Sequence, residues 1–493
     1  MAILCQCIDK KQKTAYKIHV ELERLRFQNP QWDNINNFQN DPVLLRLKQA
    51  QKILKNPVQE KIKLEKERVY ILRGPRQIGK TTLVKTIIEN LLLEGKNPFE
   101  IFYFALDIGG LRNEEEVFDL LLSYINLAKG KKATSQFIFL DEATYTRDWQ
   151  LGIKKAYDSG ILKNAFLLVT GSSSIELHKG GERLPGRRGP FSYENDLEMI
   201  PLSFREYIKN LAPQIEIPEP LEKEHFTQEL VYKNAEKLSY FNNELQSCLE
   251  KYVKTGGLPL SIVDFLKNGE DKISPEPYHV YLQAILGDIL KSGKNERYLR
   301  EILYSILAKR FEPLDAHLIS KETSIGSHNT VSSYLEVLEG LYITKTLYQV
   351  RNLGSSQPSF KKRKKIYFID PLIFHTLRAW VNGAPNAFDF CLEFLKDPSS
   401  KGRFIENIAG IHLINYYKNV SFWRNRSEID FICSYLGKPK AYLEMKYQAL
   451  ITDEDRKGLK KAGGGILLTK ESLSLGKNNI VEIPLHLFLP QIE

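Results

Sequence analysis

Val69-Tyr70-Ile71-Leu72-Arg73-Gly74-Pro75-Arg76-Gln77-Ile78-Gly79-Lys80-Thr81-Thr82 is the stretch that decides the fold. Its first five residues read as a buried strand, and an amphipathic helix is predicted from Thr81 to about Leu93. The loop between them fits G-x-x-x-x-G-K-[ST] at Gly74, Gly79, Lys80 and Thr81. Glycines let backbone N–H groups converge on phosphate oxygens with no side chain in the way, and the helix N-terminus adds partial positive charge. The whole loop from Gly74 through Pro75, Arg76, Gln77, Ile78, Gly79, Lys80 and Thr81 to Thr82 is therefore expected to hold phosphate. Lys80 would reach the β and γ phosphates, and the Thr81 hydroxyl would ligate Mg²⁺. An ordinary glycine turn before a helix is the plainer alternative, and the strand–loop–helix context weighs against it.

Further strand candidates follow at Ile101–Leu106, Phe137–Leu140 and Ala165–Thr170, separated by helical stretches. Short apolar strands alternating with helices predict a parallel α/β sheet. The apolar run Phe137-Ile138-Phe139-Leu140 ends in Asp141-Glu142, as a Walker B strand does. Asp141 would hold the Mg²⁺ shell and Glu142 would polarise the attacking water. The next strand ends in Thr170-Gly171-Ser172-Ser173, where Thr170 or Ser172 could sense the γ-phosphate or simply form a turn. The loop Arg183-Leu184-Pro185-Gly186-Arg187-Arg188-Gly189 offers Arg187 as an arginine finger, acting in its own chain or in a neighbouring copy, or else as a solubilising surface group.

The α/β texture ends near Pro201-Leu202-Ser203-Phe204. Before it, Leu44, Leu45, Leu47, Ile53 and Leu54 predict a helical lead-in; after it, a mostly helical region reaches about residue 300, broken at Gly256-Gly257-Leu258-Pro259. Residues 301–350 read as helix, turn, helix and strand, which is a winged-helix layout or a structural helical module. Lys361-Lys362-Arg363-Lys364-Lys365 is the densest basic run, read as a solvated hairpin tip or a phosphate-contacting patch. The final section returns to a helix, Phe404–Tyr417, then strands at Val420–Trp423, Ile429–Ile432, Ala441–Tyr447 and Ile466–Thr469.

Taken together, the loop Gly74–Thr82, Asp141-Glu142, Thr170-Gly171-Ser172-Ser173, Leu184-Pro185-Gly186-Arg187 and Pro201-Leu202-Ser203-Phe204-Arg205-Glu206-Tyr207 resemble the prokaryotic AAA+-related and STAND-related P-loop ATPases. Members of that group carry a C-terminal domain of unknown function. Here Gly256-Gly257-Leu258-Pro259, Tyr367-Phe368-Ile369-Asp370-Pro371, Glu428-Ile429-Asp430-Phe431 and Leu443-Glu444-Met445-Lys446 match it. The resemblance covers most of the chain after about residue 60. It implies ATP binding, hydrolysis, a winged-helix middle and a restriction-endonuclease-like end; ATP over GTP rests on it alone.

In that last part Asp430 lies on one strand, and Glu444 and Lys446 share a face of the next. Carboxylates on adjacent strands beside a lysine can bind Mg²⁺ and stabilise a phosphodiester transition state, with Glu406 on the preceding helix completing the set. The order helix Glu, strand Asp, strand Glu-x-Lys resembles the PD-(D/E)-x-K nuclease core, with Asp430, Glu444 and Glu406 as metal ligands and Lys446 catalytic. Cross-strand salt bridging among the same residues is the alternative. Trp423, Arg424, Arg426, Tyr442 and Tyr447 could stack on bases or contact phosphate, or pack a core.

The expected architecture is thus a helical lead-in (1–60), a P-loop NTPase parallel sheet (61–205), a helical lid or linker (206–300), a winged-helix-like region (301–400) and a restriction-endonuclease-like α/β domain (401–493). Its 493 residues and 42% hydrophobic content are ample for buried cores. A net charge of +10 is compatible with DNA or RNA, and a homo-oligomer is compatible with the family resemblance. Five scattered cysteines fit a reducing compartment. Apolar runs such as Phe166-Leu167-Leu168-Val169 are too short to span a bilayer, and Met1-Ala2-Ile3-Leu4-Cys5 soon meets lysines, so a cytoplasmic location with no membrane partner is expected. The expected function is a Mg²⁺-dependent ATPase whose nucleotide state controls a nucleic-acid-associated, nuclease-like domain, or an ATP-gated signalling switch without cleavage.

Overall fold

A computed structural model describes residues 23–50, 52–172, 195–476 and 478–492. The chain divides into two compact units, Met1–Ile200 and Pro201–Glu493.

Among the described residues, the first unit is built on a five-stranded sheet in the order β2-β3-β4-β1-β5. Its strands are β1 (Val69–Arg73), β2 (Ile101–Ala105), β3 (Gln136–Asp141), β4 (Ala165–Gly171) and β5 (Asp196–Glu198), all parallel. Every residue of β2, β3 and β4 is buried, as expected of parallel strands covered on both faces. Leu120, Leu121, Tyr124, Trp149 and Ile153 from the helices Glu114–Gly130 and Trp149–Asp158 close one face.

The lead-in belongs to this unit. Past its edge, β2 would present unpaired backbone groups, which invite unwanted strand pairing. Instead the side-chain amide of Asn29 donates to the Tyr103 carbonyl (2.9 Å) and its oxygen accepts from the Tyr103 N–H (2.8 Å). Gln28 Oε1 likewise accepts from Ala105 N–H (2.7 Å), and Trp32 Nε1 donates to the Ile101 carbonyl (3.1 Å). Ile53 and Leu54 lie beyond the lead-in helix, which spans Pro42–Gln49.

The second unit joins helices to a mixed sheet, eight-stranded among the described residues, in the order β12-β13-β11-β10-β9-β8-β6-β7. Its strands are β6 (Thr344–Gln349), β7 (Lys364–Phe368), β8 (Val420–Arg424), β9 (Glu428–Tyr435), β10 (Lys438–Lys446), β11 (Gly465–Thr469), β12 (Ser474–Leu475) and β13 (Ile480–Pro484). The boundary expected at residue 400 therefore cuts through one sheet. The helices Glu296–Ala308, Ala316–Glu322 and His328–Gly340 lead into the β6–β7 hairpin, and β6 pairs onward with β8 through Tyr348↔Ser421 and Gln349↔Phe422. Lys365 on β7 and Asp430 on β9 stand three strand spacings apart, about 14 Å in a flat sheet. Their side chains nonetheless meet at 2.8 Å, so the sheet curls.

One buried acid fastens this unit. Asp370 caps the helix Pro371–Asn382 by accepting from Leu372 N–H (2.8 Å), and its other oxygen accepts from Gly257 N–H (2.7 Å), 113 residues away. Burial pushes its carboxyl up to about 7, only partly offset by those N–H groups and that of Ile373. Asp370→Ala is expected to cost about 2–4 kcal/mol by removing the cap and orphaning a buried N–H, read from chemical denaturation. Because the folded pKa is raised, the proton adds stability that is fully present below the unfolded value of 3.8 and lost as pH rises through about 7. Asp370→Asn should flatten that part of the pH–stability profile.

Candidate functional site

The strand order puts β4 between the strand that ends in the glycine loop and the strand that ends in Asp141. The loop geometry needs its glycines. A Cβ on Gly74 would lie 2.1 Å from the Met199 carbonyl oxygen, and Gly79 enters the helix Lys80–Leu93 at φ 103°. Lys80 is buried, and its Nζ donates to the carbonyls of Gly74 and Pro75 at 2.9 Å each. Ile78 anchors the loop in the core at 1% exposure, while the Arg76 guanidinium donates to the Tyr145 hydroxyl (3.3 Å). Gln77, at φ 59°, makes the turn, and Thr82 lies in the first turn of the helix, its carbonyl accepting from the Thr86 hydroxyl.

Asp141, 2% exposed, is the meeting point. Its Oδ2 accepts from the Thr81 hydroxyl (2.7 Å) and from the Tyr103 hydroxyl (3.0 Å), and its Oδ1 accepts from the Thr170 hydroxyl. Thr170 also accepts from the Glu142 N–H (3.2 Å), so one hydroxyl positions both acids. Tyr103, which sequence reasoning missed, stays protonated: burial and then Asp141 raise its pKa well above the ordinary phenol value. Lys85 sits 3.4 Å from the Tyr103 ring centroid and pairs with Asp41 at 3.1 Å.

Glu142 adopts the left-handed region at φ 52°, a strained conformation for a residue that is not glycine. Among the described residues its buried Oε2 has no hydrogen-bond partner, and burial raises its carboxyl above the usual range against the opposing pull of Lys80. Ser172 is buried just past β4. Arg187, with the rest of the Arg183–Gly189 loop and Ser173, lies outside the described residues.

This donor set fits magnesium: a hydroxyl and a buried carboxylate are hard oxygen ligands, and Thr81 and Asp141 would hold the ion. When bound, the ion neutralises charge developing on the phosphates.

Residues 66–208 match the model of the AAA domain family. This region is an AAA-type P-loop ATPase domain. Residues 246–383 and 401–488 match two families described as domains of unknown function (DUF8612 and DUF4143). An uncharacterized protein of Methanocaldococcus jannaschii is 25% identical over 480 residues, covering 92% of this chain and 93% of its own. Among solved structures, a Walker-type ATPase of Pyrococcus abyssi is similar with TM-score 0.39 and 15% identity, over 65% of this chain and 94% of that one. Cdc6p from Pyrobaculum aerophilum is similar with TM-score 0.24 and 14% identity, over 64% and 88% respectively. No helix among the described residues is long and apolar enough to cross a membrane.

The second cluster of acids lies in the Pro201–Glu493 unit. Glu406 on the helix Pro398–Tyr417, Asp430 on β9, and Glu444 and Lys446 on β10 do come together, as the sequence pattern predicts. They do not surround an open cation position. Lys365, 1% exposed, donates to Glu406 Oε1 (2.7 Å) and Asp430 Oδ1 (2.8 Å) and pairs with Glu428 Oε1 at 2.9 Å. Tyr367, on the same face of β7, donates to Glu406 Oε1 (2.7 Å), and Met445 N–H donates to Asp430 Oδ2 (3.0 Å). Lys446 pairs with Glu444 Oε1 at 2.8 Å, and Glu444 Oε2 is buried without a hydrogen-bond partner among the described residues. Burial works against charge on Asp430, but Lys365 and Lys446 outweigh it and hold that carboxyl below the usual range. Burial, and then Asp430, push Glu444 well above it. Among the described residues no group of three or more His, Cys, Asp or Glu side chains is arranged to hold a metal ion. The set therefore does not fit the metal expected at Asp430, Glu444 and Glu406. Trp423 is buried, Tyr442 is half-buried with its hydroxyl on the Leu353 carbonyl (3.0 Å), and Arg424 pairs with Glu312.

Lys365 ends the basic run that reads as a solvated hairpin tip or a phosphate-contacting patch. Lys361, Lys362 and Arg363 are indeed exposed, yet the last lysine turns inward. The available signal was the alternation Lys365-Ile366-Tyr367, which puts a lysine and a tyrosine on one face of a strand.

Thr170→Val removes the hydroxyl shared by Asp141 and Glu142. ATP turnover is expected to fall in kcat by about 10–100-fold with little change in KM, and Thr170→Ser should restore most of it.

Proposed function

We propose that the chain is a Mg²⁺-dependent ATPase whose nucleotide state controls its C-terminal domain. The observation that carries the reading is the Asp141 carboxylate, joined to the Thr81 hydroxyl at 2.7 Å and to Thr170, with the unpartnered oxygen of Glu142 beside it. In this reading the amides of Gly74–Thr82 and the Lys80 ammonium bind the triphosphate, Thr81 and Asp141 hold magnesium, and Glu142 accepts a proton from the attacking water. Thr170 orients Glu142, and Arg187 serves as the finger. Glu142→Gln is expected to lower kcat by at least about 10²-fold with nucleotide still bound, while Lys80→Ala loses both binding and turnover. Wild-type turnover in both variants, measured as phosphate release, overturns the assignment.

For the controlled domain, one reading is a nucleic-acid-associated, nuclease-like module. The net charge of +10, the exposed Lys361, Lys362 and Arg363, and the winged-helix-like sequence of three helices and a hairpin support DNA or RNA as a partner. The other is a regulatory switch without cleavage. The ammonium of Lys365 among the three carboxylates favours the second, because it leaves no open cation position between them. A cleavage assay on DNA and RNA with Mg²⁺ or Mn²⁺ separates them. No cutting by wild type is the expected result; cutting lost in both Asp430→Ala and Lys446→Ala would establish the nuclease instead.

A further inference from the structure

We infer that Lys365 is the resident cation of the C-terminal carboxylate cluster, its ammonium standing where the resemblance to nucleases would put a divalent ion. The inference is independent of the ATPase reading and needs no nucleotide for its test.

An ammonium has three N–H donors and no acceptor. Lys365 Nζ lies 2.7, 2.8 and 2.9 Å from oxygens of Glu406, Asp430 and Glu428, donating hydrogen bonds to the first two and pairing by charge with the third. A divalent ion bound by those same oxygens would have to approach them at about 2.0–2.6 Å. It would then sit against the ammonium, where like charges repel strongly in a poorly solvated interior. The lysine has no solvent route of retreat, since it is 1% exposed and β7 is held by the ladder to β6 at Leu347↔Lys365. The remaining charges are matched as well: Lys446 on Glu444 (2.8 Å) and Arg424 on Glu428 (3.6 Å). The cluster is an ion network of side chains from β7, β8, β9, β10 and one helix.

If the lysine is the cation, removing it should open a metal site. Lys365→Met keeps the length of the chain and deletes the charge, leaving Glu406, Asp430 and Glu428 facing one another. Carboxylates so gathered suit manganese, magnesium or calcium. The probe is Mn²⁺, titrated by electron paramagnetic resonance into the full-length protein without nucleotide. Wild type and Asp430→Asn should give the same Mn²⁺ isotherm. Lys365→Met should take up roughly one further Mn²⁺ per chain, lost again in Lys365→Met combined with Asp430→Asn, while Lys365→Arg takes up none. The melting temperature of Lys365→Met should rise more on adding Mn²⁺ than that of wild type. A wild-type Mn²⁺ site that disappears in Asp430→Asn overturns the inference, as does a folded Lys365→Met that gains no Mn²⁺. Should Lys365→Met fail to fold, the comparison of wild type with Asp430→Asn decides alone.

Discussion

The carboxylate of Asp141 is the joint on which the first unit depends. A buried carboxylate is costly unless its lone pairs are taken up, and here hydroxyls from β2, β4 and the loop helix supply the donors: Tyr103, Thr170 and Thr81. That convergence requires β4 to run between β1 and β3 with all strands parallel, so that the carboxyl ends of the strands gather on one side. It also requires β2 to be held firmly at the sheet edge. Asn29, Gln28 and Trp32 do this by occupying its outer backbone groups, and the N-terminal segment thereby reaches the site through Tyr103.

How legible these features were in the sequence follows from how local their causes are. The β1 strand, Val69–Arg73, is bounded by a glycine loop and is read to the residue. The helix after it begins one residue earlier than expected, because Gly79 is its cap. Asp141 and Glu142 were legible because a fully buried strand must end before a carboxylate can reach a site. The partners were not. Tyr103 sits inside Ile101–Ala105, where an aromatic residue is ordinary strand composition. The role of Asn29 is set by an edge that forms 74 residues away.

The same contrast explains the C-terminal part. Asp430 and the Glu444-x-Lys446 pair were found because period-two alternation places them on one face of adjacent strands. Lys365 escaped because a run of five basic residues reads as surface, and only the curl of the sheet brings its strand over β9. The division at residue 400 parts strands that share one sheet for a related reason. Sequence texture there turns to a helix followed by strands, but β6 and β7 had already entered the sheet, and a chain can contribute two strands early and six later without any local mark.

Asp141 and Asp430 are both buried acids with saturated hydrogen bonds, yet they differ in the charge of their donors. Around Asp141 the donors are the neutral hydroxyls of Thr81, Tyr103 and Thr170, so the carboxylate's charge has no ion-pair partner among those donors and attracts a cation. Hydroxyl oxygens also carry lone pairs, and Thr81 can turn from donor to ligand by rotating about one bond. Around Asp430 the donor is the ammonium of Lys365, whose charge already answers that of the carboxylate and which has no lone pair to offer. Two sites with similar burial and similar acids therefore differ in their chemistry: the first offers oxygen ligands and a carboxylate charge of the kind that suits a metal ion, and in the second an ammonium of the protein already lies among the carboxylates.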